Sequence, residues 1–212
     1  TTPTTRMVAL EDLGGADNAP TAGNIVLVDD RSRQPIVFGC NELGASVLNE
    51  LHVRWADNES VTDWNPSSAD NAGSYTLASG SRIVAAEKTR QEILVWTESD
   101  LHSMQRVGGG AVYSFTLAAA NITMSGKNSA ITVGDSVYWM GLDGFYVYEG
   151  RTRRISSPLE EDVSKRMDKD QREKVYAGSN KEDGEVFWFY QSMDSDEIDS
   201  IIIYNFEQDI WY

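Results

Sequence analysis

The sequence predicts an all-β protein built from β-propeller-like repeats of antiparallel strands, with one short inserted helix. The first observation behind this is that Trp96, Trp139 and Trp188 each lie in a run of β-branched and aromatic residues that a second such run follows. The second is the spacing, because the intervals from Trp96 to Trp139 and from Trp139 to Trp188 both fall within the roughly 40 to 50 residues of a propeller blade. A repeat of this length indicates one supersecondary unit used several times.

The strongest local signal is the hairpin predicted over residues 136–150. Two runs, SVYWM and FYVY, are joined by a short turn in which Asp143 and Gly144 form a residue pair that tolerates positive φ. The other two tryptophans lie in EILVWT at 92–97, before LHSMQ at 101–105, and in EVFWFY at 185–190, before IIIYNF at 201–206. Each tryptophan strand is therefore expected to be the second strand of a blade, because a short apolar run precedes it.

The blades predicted from these runs cover about 82–128, 129–173 and 174–212. Residues 23–55 form an earlier partial blade, and residues 1–22, rich in Thr, Gly, Ala, Asn and Pro, are predicted to be a linker or arm. The polar stretch 56–81 is predicted to be a long surface loop between blades, with Trp55 and Trp64 as the anchors of its two ends. Propellers close with about 4 to 8 blades, so this segment, 23–212, is expected to be part of a larger propeller.

A helix is predicted over about 157–170. Ser157 can cap the first amides, Pro158 suits the first helical position, and Glu160 can complete a capping box. Leu159, Val163 and Met167 then form a narrow apolar stripe. Two interpretations stay open, one in which the stripe packs on its own blade and one in which the helix contacts a neighbouring subunit.

Charge and composition exclude several classes of function. The formal net charge is −15, which argues against a phosphate-binding surface because nucleic-acid affinity depends on clustered Lys and Arg. One cysteine, Cys40, allows no internal disulfide, and there is no apolar run of about 18 residues that could insert into a membrane.

No catalytic, cofactor-binding or metal-binding residue is predicted, so the chain is not expected to be an enzyme. His52 and His102 lie far apart in the sequence, and the acidic run 194–199 lacks the glycine and the distal glutamate of a calcium loop. Paired carboxylates for glycoside hydrolysis stay open, because the chain has 33 acidic residues.

Several short motifs, taken in order, resemble the structural tail proteins of short-tailed bacteriophages, specifically the tail hub or nozzle (packaged-DNA stabilisation) proteins. The motifs are FGCNE at 38–42, VRWAD at 53–57 with TDW at 62–64, AG at 72–73 before GS at 80–81, QEILVWT at 91–97, YWMG at 138–141, GFYVY at 144–148 and EVFWFY at 185–190. The resemblance covers about residues 36–212.

The resemblance implies a structural virion protein with a β-propeller platform. It implies a homo-oligomer, a sixfold ring (a hexamer) below the portal and its adaptor, that forms part of the DNA ejection channel, and attachment surfaces for tail fibre, spike or needle proteins. DNA would pass without specific binding, and the protein would be located in the virion, or in the host cytoplasm during assembly. The alternative is a carbohydrate-active or glycan-binding β-propeller that acts on the host surface.

Ten residues on the 56–81 loop, the predicted helix and the 194–199 tip are the candidate partner contacts: Asp57, Glu59, Asp63, Trp64, Glu160, Glu161, Lys165, Asp194, Asp196 and Asp199. Trp96, Trp139 and Trp188 are the predicted blade core, because a strand tryptophan more often fills space between sheets than binds a ligand.

Overall fold

The computed structural model describes residues 9–67, 70–107 and 111–212. In this part of the chain, strands make up 47% and helices 8%, so the predicted all-β class is confirmed. The strands are β1 Gly23–Val28, β2 Pro35–Asn41, β3 Leu48–Trp55, β4 Gly73–Thr76, β5 Ile83–Lys88, β6 Glu92–Thr97, β7 Asp100–Arg106, β8 Tyr113–Ala120, β9 Ala130–Val133, β10 Ser136–Met140, β11 Phe145–Tyr148, β12 Thr152–Ile155, β13 Tyr176–Asn180, β14 Glu185–Gln191, β15 Ile198–Asn205 and β16 Ile210–Trp211.

The strands form four-stranded antiparallel sheets, each a meander of four consecutive strands. We number them in chain order: sheet 1 contains β1 to β4, sheet 2 β5 to β8, sheet 3 β9 to β12 and sheet 4 β13 to β16. Trp96 lies in β6, Trp139 in β10 and Trp188 in β14. The prediction that each tryptophan lies in the second strand of its sheet is therefore confirmed.

Two compact units divide the chain. The first contains the described residues up to Ile83 together with Arg106–Ser114, and hence sheet 1. The second contains Val84–Gln105 and Phe115–Tyr212, and hence most of sheet 2 and all of sheets 3 and 4.

In the second unit, sheet 2 packs face to face on sheet 3. Leu94 and Trp96 of sheet 2 are in one apolar cluster with Val137 and Trp139 of sheet 3. The rings of Trp96 and Trp139 meet edge to face, with centroids 5.3 Å apart, and both residues are fully buried. Aromatic pairs of this geometry add to the free energy of area burial by about 0.5 to 1.5 kcal/mol.

The opposite face of sheet 3 packs on sheet 4. Tyr138 and Phe145 are in a second cluster with Trp188, which is fully buried and whose ring centroid lies 5.0 Å from that of Phe145. All three predicted blade-core tryptophans are therefore buried between sheets. They are not equivalent, however, since Trp139 and Trp188 face the preceding sheet and Trp96 faces the following one. Side chains alternate between the two faces of a strand, so a shift of one position in the strand reverses the face.

Residues 9–22 differ from the prediction of a linker or arm; residues 1–8 of that prediction lie outside the described part of the chain. Leu10–Asp12 form a short 3₁₀ helix, and Ala16 and Ala19 are buried against Val37 and Trp64. The small alanine side chains allow the backbone to approach the sheet closely. This segment and Trp64 thus cover one face of sheet 1.

Two polar or reactive side chains are buried beside this cover. Arg54 donates hydrogen bonds to the carbonyl oxygens of Asn18 and Trp64. Cys40, a free thiol with no exposed surface, follows Gly39, whose φ of +60° accompanies an irregularity in the register between β2 and β3. Burial raises the pKa of the Cys40 thiol to about 12.

The stretch 56–81 is not entirely loop, because it contains β4. β4 pairs with β3 and completes sheet 1, so the predicted partial blade 23–55 gains a fourth strand from beyond its predicted end. The strand GSYT is short and polar, so it lacks the run of apolar residues by which the other strands were predicted. Gly73 is required there, since a Cβ atom would lie 2.6 Å from the Trp55 ring.

The predicted helix is shorter than expected. Helix α1 covers Glu160–Arg166, and a separate 3₁₀ helix covers Lys169–Lys174. The Ser157 hydroxyl accepts from the Leu159 amide at 3.2 Å, as predicted, but Glu160 binds Arg154, so the predicted capping box is wrong. Val163 and Met167 are buried in the cluster between sheets 3 and 4, with Leu159 packed against it, which confirms that the stripe packs on its own unit.

Within the described residues, no helix combines the length and the apolar character needed to span a membrane.

Candidate functional site

A cleft of about 370 Å³ separates α1 from the turn between β10 and β11. We call it the α1 cleft. The side chains that line it include the buried apolar Met140, Phe145, Val163 and Met167, and the more exposed Leu142, Glu160, Glu161 and Lys165. An apolar floor with a charged rim is the usual composition of a site that binds another molecule.

The turn that forms one wall is held by hydrogen bonds. The Asp143 carboxylate accepts from the hydroxyl groups of Thr123 at 2.9 Å and Tyr146 at 2.8 Å. Gly144 has a φ of +146° and accepts at its carbonyl oxygen from the Gly141 amide. The sequence signal of Asp143 and Gly144 therefore corresponds to a fixed hairpin end.

Arg154 of β12 links this turn to α1. Its guanidinium donates to the Glu160 carboxylate at 2.5 Å and to the carbonyl oxygen of Asp143. Glu160 thus contacts Arg154, whereas in a capping box its carboxylate would accept from the Ser157 backbone amide. At the rim of the cleft, Lys165 and Glu161 form an exposed ion pair at 2.6 Å, a type worth about 0.3 to 0.5 kcal/mol.

The ionisable groups of the turn have shifted pKa values. Burial tends to raise the pKa of Asp143, but the hydrogen bonds from Tyr146 and Thr123 outweigh it and hold the pKa below its usual value. Burial and the hydrogen bond to Asp143 raise the pKa of Tyr146 to about 12. The pair is therefore a neutral phenol and a carboxylate across the neutral pH range.

Both shifts predict how stability depends on pH. A lowered Asp143 pKa contributes stability above the unfolded pKa that is lost as pH falls through the folded value; a raised Tyr146 pKa contributes stability that is lost as pH rises from about 10 to about 12. We expect Asp143→Asn to flatten the acid limb of a plot of melting temperature against pH. Asp194→Asn, at an exposed carboxylate, is the matched control, and an equal effect of the two substitutions would contradict the prediction.

The other end of α1 adjoins the loop between β14 and β15. The Arg166 carbonyl oxygen accepts from the Met193 amide at 2.8 Å, and the Gln191 carbonyl oxygen accepts from the Asp168 amide at 2.9 Å. Lys174 donates to the Gln191 side chain at 2.6 Å and to the Asp196 carbonyl oxygen. Two of the three predicted contact elements, the helix and the 194–199 tip, are thus neighbours.

Asp199 fixes the base of this tip. Its carboxylate accepts from the hydroxyl and the amide of Ser192, and these hydrogen bonds lower its pKa. Asp194 and Asp196 are exposed. Six of the predicted contacts therefore lie on two adjoining elements: Glu160, Glu161 and Lys165 on α1, and Asp194, Asp196 and Asp199 on the acidic tip.

The remaining predicted contacts lie in the first unit. Asp57 accepts hydrogen bonds from Asn71, and Trp64 is buried with its indole donating to the Val61 carbonyl oxygen. Trp64 was wrongly placed among the surface contacts, because its ring fills the cluster that covers sheet 1. Glu59 and Asp63 are exposed and stay predictions.

The first unit contains a buried polar cluster that the sequence does not predict. The Gln34 side-chain oxygen accepts from the Arg106 guanidinium at 2.5 Å and lies 2.8 Å from the Ser32 hydroxyl and 2.9 Å from the Tyr113 hydroxyl. The Asp29 carboxylate lies within hydrogen-bond distance of the same two hydroxyl groups, so each hydroxyl shares its single hydrogen between Gln34 and Asp29. We call these five residues the Gln34 network. Burial raises the pKa of Tyr113 to about 12. The signal in the sequence was only a charged turn at 29–33, which gave no indication of its partners more than 70 residues away.

The two histidines, His52 and His102, lie in the interior of the protein. Both are buried, and His52 shares a hydrogen bond of 2.7 Å with the Thr76 hydroxyl. Burial lowers the pKa of His52, which favours the neutral ring. In the part of the chain that the structure describes, no group of three or more His, Cys, Asp or Glu side chains is placed to hold a metal ion.

No family model matches the chain, and a search of curated proteins finds no significant match.

Proposed function

We propose that the chain is a non-enzymatic scaffold: a β-propeller segment that acts as a subunit of the tail hub or nozzle of a short-tailed bacteriophage and forms part of its DNA ejection channel. The observation that carries the proposal is the succession of sheets 2, 3 and 4, which are four-stranded meanders packed face to face in chain order. Blades of a propeller pack in this way. The ordered sequence motifs described above supply the tail-protein assignment.

The charge of the chain suits a channel. At −15 per subunit, a ring of such chains repels the phosphate backbone of DNA, so contact with the ring would release few counterions from the DNA. DNA would then slide past without being retained. A sixfold ring, as the resemblance implies, would multiply this field.

The rim of the α1 cleft and the acidic tip form the attachment surface in this proposal. Glu161 and Lys165 on α1 and Asp194 and Asp196 on the adjoining loop are exposed on one unit and belong to elements joined by backbone hydrogen bonds. Exposed charges of both signs on fixed elements give specificity and orientation to a partner. The portal adaptor and fibre, spike or needle proteins are the partners that we propose.

The proposal is tested by imaging and by DNA binding. Electron microscopy of the assembled particle should place the chain on a ring axis, with sixfold symmetry. Gel-shift titration of the purified chain with duplex DNA at low ionic strength should show no retained complex, although low salt favours binding. Tight binding to duplex DNA, or the absence of any ring, would contradict the proposal.

Assays with a panel of host-surface polysaccharides distinguish the scaffold proposal from a carbohydrate-active or glycan-binding propeller. Turnover that a single carboxylate substitution abolishes would favour a carbohydrate-active propeller, and binding without turnover would favour a receptor-binding one. The scaffold proposal expects neither.

A further inference from the structure

The α1 cleft lies beside the acidic tip, residues 194–199. Met167, which lines the cleft, pairs with Ser192 in an isolated antiparallel bridge. The next residue along that loop, Met193, donates from its amide to the Arg166 carbonyl oxygen, and the tip begins directly after it. A molecule that occupies the cleft near Met167 therefore comes close to the carboxylates of the tip.

The floor of the cleft is apolar and adaptable. Met140, Phe145, Val163 and Met167 form it, and methionine side chains, which are unbranched and have three rotatable bonds, fit a range of apolar shapes. Leu142 also lines the cleft and is 43% exposed, so it offers apolar surface at the opening. Burial of such surface is the main favourable contribution to protein association.

The walls of the cleft are fixed in position. The guanidinium of Arg154 donates both to the Asp143 carbonyl oxygen on the turn and to the Glu160 carboxylate on α1, so it holds the two walls together. A site that is formed before binding loses less conformational entropy when it is occupied. The volume of about 370 Å³ lies near the lower end of the range for ligand sites, roughly 300 to 1,000 Å³, which suits one large side chain.

The charges around the cleft are paired on α1 and unpaired on the tip. Each carboxylate of the helix is in an ion pair: Glu160 with Arg154, Glu161 with Lys165, and Asp162 with Arg166. Among the described residues, no ion pair involves the carboxylates of the tip, which are Asp194, Asp196, Glu197 and Asp199. Lys174 reaches the tip, but its ammonium group donates to the Gln191 side chain and the Asp196 carbonyl oxygen. The uncompensated charge beside the cleft is therefore negative.

We infer that the α1 cleft takes one large apolar side chain from a segment of a partner protein that carries Lys or Arg beside that side chain, with the cations facing the acidic tip. The apolar side chain displaces water from the floor and supplies most of the affinity. The cations orient the segment, since complementary charge at an interface contributes more to specificity and association rate than to affinity. The inference rests on the proposed role of this surface in attachment and adds the chemistry of the partner.

Methionine methyl NMR with peptide probes tests the inference. The chain contains six methionines: Met140 and Met167 line the cleft, Met193 adjoins the tip, and Met124 is buried between sheets 2 and 3. The probe is a capped peptide of glycine and serine with one phenylalanine followed by two arginines, titrated into the methyl-labelled full chain. The Met140 and Met167 signals should shift with one common dissociation constant, and the Met124 signal should stay in place.

Two altered peptides separate the apolar contribution from the charged one. Alanine in place of the phenylalanine should raise the dissociation constant at least about tenfold, as loss of a central anchor does. Glutamate in place of both arginines should raise it too, and this difference should shrink as salt screens the charges.

Two pairs of chain variants locate the site. Leu142→Ser should raise the dissociation constant severalfold, whereas Leu117→Ser, at an exposed leucine of β8 outside the cleft, should leave it unchanged. The double variant Asp194→Asn with Asp196→Asn should weaken binding and reduce its salt dependence. Glu182→Gln, at an exposed carboxylate before β14, is the control for charge. Circular dichroism confirms that each variant is folded.

Three results would overturn the inference. They are the absence of any shift of Met140 and Met167 at millimolar peptide, equal binding of the alanine peptide, and equal effects of Leu142→Ser and Leu117→Ser. A shift confined to Met193 would show arginines bound to the tip without an anchor in the cleft, which also contradicts it. None of these results bears on ring symmetry or DNA binding, so failure of this inference is distinguishable from failure of the proposed tail-hub function.

Discussion

Trp139→Ala is expected to lower the free energy of unfolding by about 3 to 5 kcal/mol, the range for truncating a fully buried aromatic side chain. Trp139 has no exposed surface. Its ring stacks on Tyr146 with centroids 5.4 Å apart, meets Trp96 edge to face, and donates from its indole nitrogen to the Thr123 carbonyl oxygen. Urea titration followed by far-UV circular dichroism measures the loss.

Leu117→Ala is the control for this substitution. Leu117 lies on β8 in the same unit and is 55% exposed, so its truncation should change the free energy of unfolding by less than about 0.5 kcal/mol. A Trp139→Ala variant that loses less than about 1 kcal/mol would show that the packing between sheets 2 and 3 contributes little to stability.

Gln34→Ala should cost about 3 to 5 kcal/mol, since removing one member of a buried network leaves several partners unsatisfied at about 1 to 3 kcal/mol each. The Gln34 side chain is fully buried. Besides the three donors of the Gln34 network, its amide nitrogen donates to the carbonyl oxygens of Ala56 and Asn71. The loss is measured as the shift of the denaturation midpoint at constant slope.

Two further variants test whether loss of the Gln34 network causes the destabilisation. Gln208→Ala removes an exposed glutamine and should be nearly neutral. Tyr113→Phe removes one hydroxyl from the network and should cost less than Gln34→Ala, about 1 kcal/mol. Equal effects of Gln34→Ala and Gln208→Ala would contradict the structural role of this cluster.

The sequence predicted the fold best where local signals were strong. Asp143 and Gly144 between two apolar runs predicted the hairpin of β10 and β11, and the three tryptophans marked the second strands of sheets 2, 3 and 4. β4 was missed because its residues are polar and its strand character comes from pairing with β3. The capping box failed because Glu160 binds Arg154, a tertiary contact that a local rule does not include.

The candidate site shows the same limit. Glu160, Glu161 and Lys165 come together because they lie on one helix, as the sequence predicted. Their proximity to the acidic tip depends on hydrogen bonds between Arg166 and Met193 and between Asp168 and Gln191. Residues this far apart in sequence are brought together by the packing of sheets 3 and 4, for which no local pattern exists. The Gln34 network was missed because Arg106 and Tyr113 lie more than 70 residues from Gln34 in the sequence.

The buried thiol of Cys40 can report on how often the first unit opens locally. Only a thiolate reacts readily with disulfide reagents, and this sulfur has neither access to solvent nor an ordinary pKa while Ala16, Ala19 and Trp64 cover sheet 1. The rate at which a disulfide reagent modifies Cys40 in native buffer therefore measures how often that cover opens. Because the sequence contains no other cysteine, the signal comes from one place, without any label being introduced.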